Sequence, residues 1–250
     1  MDFDKAAYRA SKARVIGLIK QTHDWENTEG FISDGVVCPD IYEKQALRIL
    51  CVLAESYGYD ECRDDRDIER QGKEDFMGVG AARVRTPKTL PSLLWLIQES
   101  FQKARPLEWE EFPWFFSVTQ ENTKMLQEAL SKVAWINVKK ASRSEGTLMD
   151  SEEVYRHALQ NREILKEQIE STVPDLIIVC GDPVFRALHD MKLLGEGIQL
   201  GRKGCVQTTP NGCRVLEIPH PSPRNPDWRS YEGVYENFTN IFQQLNRARS

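Results

Sequence analysis

The octapeptide Ile218-Pro219-His220-Pro221-Ser222-Pro223-Arg224-Asn225 places groups able to do chemistry on a stiff backbone. Three prolines among residues 219–223 fix their own φ angles, remove three backbone donors and exclude a helix. His220 and Ser222 are thereby held with little freedom. That is the condition for a proton-bearing ring and a phosphate-binding hydroxyl to act without reorganising. The same composition suits an ordinary surface turn, so what lies around it matters. Two other places carry polar groups beside apolar runs. Asn137 ends the run V-A-W-I-N-V, and Glu55, Ser56 and Asp60 follow the run R-I-L-C-V-L.

The elements that must position these residues are legible as short apolar runs. Residues 48–53, 133–138, 176–180 and 214–218 are continuous, strand-length and rich in Val, Ile and Leu, the mark of strands buried on both faces. Helical patterns lie between them. The spacing predicts helices over 6–21, from Thr86-Pro87 through Phe101, over 119–132, over 182–190 and over 231–249. One long helix is expected from an Asp150 cap through Tyr155, Leu159, Ile164, Leu165 and Ile169. One or two helical turns are expected over 42–47, and a hairpin within 195–212. Strands alternating with helices imply a parallel sheet covered on both faces. Such sheets bind ligands beyond the carboxyl ends of their strands. His220, Asn137 and the segment from Ala54 to Asp60 all fall there.

Composition narrows the class. With 250 residues, 40% hydrophobic and 28% charged, the chain suits one globular α/β domain. No stretch approaches the roughly 20 apolar residues of a membrane span, and the first residues lack the apolar core of a signal peptide. A cytoplasmic, monomeric protein without membrane partner is expected. The net charge of −5 excludes a wholly basic surface but not local basic patches, such as Lys139-Lys140 with Arg143, Arg202-Lys203, and Arg224 with Arg229. Six cysteines form no C-x-x-C pair and four histidines are scattered, so no metal site and no cofactor are expected. Cys51 and Cys180 lie in apolar runs and read as core residues.

In the order of these strands and in its H-P-S-P loop the chain resembles the uracil-DNA glycosylase superfamily, over roughly residues 45–245. The resemblance implies a three-layer α/β/α fold around a four-stranded parallel sheet. It implies one domain over 1–250, with 1–44 as a helical N-terminal extension. It also implies an activity: flipping a pyrimidine out of DNA and hydrolysing its N-glycosidic bond. His220 would stabilise negative charge on the departing base as a hydrogen-bond donor. Asn137 would read the base edge, or else bond a neighbouring loop. Ser222, Pro223 and Asn225 would pinch a DNA phosphate. Arg224 would either fill the gap left by the flipped base or contact a phosphate. Lys139, Lys140 and Arg143 would add phosphate contacts.

In the first family motif Ala54 takes the place of a Gly and Ser56 that of the water-activating Asp. Glu55, Ser56 and Asp60 are thus the alternatives for handling water or the sugar cation. Gly58 stands where strict uracil enzymes place a bulky Tyr, with Tyr57 and Tyr59 on either side. A Gly there implies room for 5-substituted cytosines of phage DNA as well as uracil, and a role in defence against phages. The alternative within the same resemblance is an inactive module that binds nucleic acid or a nucleotide.

Overall fold

The computed structural model describes residues 2–22, 32–54, 66–67, 86–113, 120–140, 150–220 and 230–247. Its centre is a sheet of six strands: β2 (Gly35–Val36), β5 (Val133–Asn137), β3 (Ile49–Leu53), β6 (Leu176–Cys180), β8 (Arg214–Ile218) and β7 (Val206–Thr208), in that spatial order. The four inner strands are mutually parallel. The two edges, β2 and β7, run antiparallel to their neighbours. The sheet is therefore mixed and six-stranded, where the sequence predicted four parallel strands. Strands of two and three residues at an edge are too short to carry a period of their own. A separate parallel pair joins β1 (Ile32–Ser33) to β4 (Arg66–Asp67).

Alternation along the inner strands divides the core in two. Ile49, Cys51, Leu53, Ile178, Cys180 and Leu216 face one layer, built from helices α3 (Thr86–Gln102), α4 (Gln120–Ser131) and α8 (Tyr231–Arg247). Leu50, Val52, Ile177, Val179 and Val215 face the other, built from α5 (Ser151–Gln160), α6 (Arg162–Thr172) and α7 (Asp182–Asp190). Both faces of β3 and β6 are covered, which is why their sequences are apolar at every position.

The long helix expected after Asp150 is two helices. Asp150 does cap α5, its carboxylate accepting from the Glu153 amide at 2.7 Å. The break falls at Asn161, which is fully buried and donates its side-chain amide to the Val138 carbonyl at 3.0 Å. That bond holds the break against the end of β5. It also changes the inward face: Val154 and Ala158 are buried, whereas Tyr155 and Leu159 are exposed. Near the N-terminus, helix α2 (Pro39–Tyr42) precedes the turns expected over 42–47. The hairpin joins β7 to β8, so its second strand lies beyond the expected span. Helix α1 (Lys5–Thr22) packs on α6, with Val15 and Ile19 against Ile164. Among the described residues, no helix is long and apolar enough to cross a membrane.

Candidate functional site

The strand register aligns one row of residues across the carboxyl end of the sheet. Asn137 pairs with Leu53 on β3, and Cys180 on β6 pairs with Ile218 on β8. The chain moves from β3 to β5 on one side and then crosses to β6 on the other, so β3 and β6 flank the point where connections reverse direction. Ligands of open α/β sheets bind at such a point. Asn137 and Ile218 stand three strand spacings apart, about 14 Å at ~4.8 Å each. His220 follows two residues beyond Ile218. Two side chains reaching inward over the intervening strands leave room for one flat ring between hydrogen bonds of ~2.9 Å.

The β8 side is shaped by Gly181. Its φ of +104° is one that side chains rarely adopt, and a Cβ there would lie 3.6 Å from the His220 Cβ. The Gly181 amide donates to the Ile218 carbonyl at 2.8 Å, tying the start of α7 to the strand that delivers His220. The Gly is also the residue preceding α7, with Asp182 the first helical residue and Pro183 next. His220 is partly buried, and burial lowers its pKa from 6.5, favouring the neutral ring. A neutral imidazole still donates one N–H.

The β5 side holds a buried polar network. Asn137 is 3% exposed. Its backbone amide donates to Asp34 Oδ2 at 2.5 Å and its side-chain Nδ2 to the same oxygen at 3.3 Å. Asp34 Oδ1 accepts from Lys140 Nζ at 2.9 Å and from Gln168 Nε2 at 2.7 Å. The side chains of Asp34 and Lys140 have no exposed surface. Burial lowers the Lys140 pKa, while Asp34 acts in the opposite sense. Two acceptors in this network, Asn137 Oδ1 and Gln168 Oε1, are buried and have no hydrogen-bond partner among the described residues. An unmet buried carbonyl costs ~1–3 kcal/mol. The amides of Val138 and Lys139 donate to Leu53 and Ala54, so this network abuts the exit of β3.

The expected cationic residues divide. Lys140 is corrected: it is not a surface contact for DNA, because its ammonium is enclosed and bound to Asp34. Lys139 is largely covered, with Glu153 4.0 Å from its ammonium. Arg202 is exposed. Glu55, Ser56, Tyr57, Gly58, Tyr59, Asp60, Arg143, Ser222, Pro223, Arg224, Asn225 and Arg229 lie outside the described residues.

Sequence reasoning missed two groups. Asp34 sits in a Gly- and Asp-bearing segment that reads as loop; its signal was that a buried lysine requires a carboxylate. Glu217 is 1% exposed on β8, three residues before His220. Its Oε1 lacks a hydrogen-bond partner among the described residues, with Lys203 Nζ 3.9 Å away. Burial raises the Glu217 pKa. Among the described residues, no group of three or more His, Cys, Asp or Glu is placed to hold a metal. No protein-family model matches the chain, and no curated protein matches it.

Proposed function

We propose that this protein is a DNA glycosylase that binds a flipped pyrimidine across the carboxyl end of the sheet and hydrolyses its N-glycosidic bond. The supporting observation is the placement of Asn137 and His220. They occupy opposite sides of the reversal point, in the chain positions that the resemblance to uracil-DNA glycosylases assigns to base reading and base departure. The order of the four inner parallel strands along the chain supports the same reading. His220 donates to the base oxygen on which negative charge develops, and its neutral form does so without a proton transfer. Asn137 contacts the base edge. Ser222 with its prolines grips the phosphate, and Arg224 occupies or borders the vacated stack. Glu55, Ser56 or Asp60 handles water or the sugar cation. With Gly58 in place of a Tyr, the pocket takes 5-substituted cytosines of phage DNA as well as uracil, in a cytoplasmic defence role.

The test is incubation with otherwise identical DNAs carrying uracil, 5-hydroxymethylcytosine or glucosylated 5-hydroxymethylcytosine, followed by alkali. Strand breaks at the modified position support the enzyme. Release of a bulky base that is lost in Gly58→Tyr supports the wide pocket, and release of uracil alone removes it. Binding without breaks favours an inactive nucleic-acid-binding module.

A further inference from the structure

We propose that Asp34 is a positioning residue for Asn137: it locks the carboxamide in one of its two flip states, so that the site requires an N–H donor from its ligand. This rests on the reading of Asn137 as a base contact. A carboxamide is nearly symmetric in shape, and a free one can exchange its oxygen and nitrogen by a half-turn. Here the half-turn is blocked. Asp34 Oδ2 already receives the Asn137 backbone amide and its Nδ2. Turning the group would set Oδ1 against that carboxylate oxygen, two acceptors with no proton between them.

Asp34 has no freedom of its own. Lys140 and Gln168 hold its other oxygen, and the Gln168 amide also reaches the Asp34 carbonyl at 3.3 Å. The ammonium of Lys140, enclosed with it, keeps the carboxylate an acceptor only. What remains is the buried, unpartnered Asn137 Oδ1. A ligand N–H satisfies it; a ligand acceptor meets it with repulsion. Uracil offers an imide N3–H, and cytosine and its 5-substituted forms offer the N4 amine. Pyrimidin-2-one offers neither.

The experiment compares equilibrium binding of oligonucleotides that carry 2′-fluoro-2′-deoxynucleotides, which resist cleavage, of uracil, cytosine or pyrimidin-2-one. The wild type should bind the pyrimidin-2-one probe about tenfold more weakly than the better of the other two. In Asp34→Asn with Lys140→Met, which removes both charges together, the ratio should fall toward one while circular dichroism shows a folded chain. Should that variant fail to fold, proton exchange in the wild type reads the lock: the Asn137 Nδ2 protons should exchange far more slowly than those of an exposed Asn. Equal wild-type affinity for all three probes, an unchanged ratio in the folded variant, or fast exchange overturns the proposal. Binding of none of the probes overturns it together with the functional reading. Base discrimination without release of any natural base leaves it standing and removes only the enzymatic activity.

Discussion

Gly181 and His220 are linked by contact and by the backbone bond that ties α7 to β8. Gly181→Ala forces a Cβ into a strained φ and should cost on the order of 1–3 kcal/mol, read as a lowered midpoint in urea. It should also lower base release beyond the loss of folded protein, because the added methyl meets His220. Full stability in this variant would contradict the geometry. His220 itself carries a pH signature. Its folded pKa is depressed by burial, so its contribution to stability is present above the unfolded value near 6.5 and is lost as pH falls below it. The wild type should therefore lose melting temperature relative to His220→Asn between pH 7 and 5. Asn137 and His220 were legible from residue type and strand-end position alone. Lys140 was not, because beside Lys139 it reads as a basic patch, and the partner that buries it lies 106 residues away.

At the scale of elements, the inner strands were legible because burial on both faces leaves an unbroken apolar run. The edges β2 and β7 were not, since two or three residues supply no pattern. The division of α5 from α6 was hidden because the apolar spacing carries past Asn161. Only its buried bond to Val138 accounts for the break. Asn161→Ala should leave that carbonyl unmet at a cost of ~1–3 kcal/mol in chemical unfolding. A neutral effect would mean that the break has another cause. Strand β8 carries a second anomaly in Glu217. Burial raises its folded pKa, so its stabilising contribution is present below the ordinary value of 4.5 and is lost as pH rises through the folded value. Glu217→Gln should melt at or above the wild-type temperature at pH 7, with its advantage shrinking toward pH 4. A less stable Gln variant at pH 7 would show that the carboxylate is satisfied.

At the scale of the molecule, the sheet separates scaffold from site. At the amino end, Arg48 at the entry to β3 forms a two-pronged pair with Asp175 at the entry to β6, at 3.0 and 2.9 Å. Burial pushes the Asp175 carboxyl up, but the hydrogen bonds from Arg48 outweigh it and its pKa is lowered. The stability it contributes is present above 3.8 and lost as pH falls through the folded value. Asp175→Asn should lower the melting temperature at pH 7 and leave base release per folded molecule unchanged, because the pair stands at the far end of the strands. The carboxyl end bears the central claim. The most direct measurement is the rate of abasic-site formation in DNA carrying uracil or a 5-substituted cytosine, for the wild type and for His220→Ala at equal folded concentration. The wild type should leave alkali-labile sites at the target base, and His220→Ala should lose about a hundredfold or more of that rate. No abasic product from any of these DNAs, or an undiminished rate in the folded variant, would contradict the account.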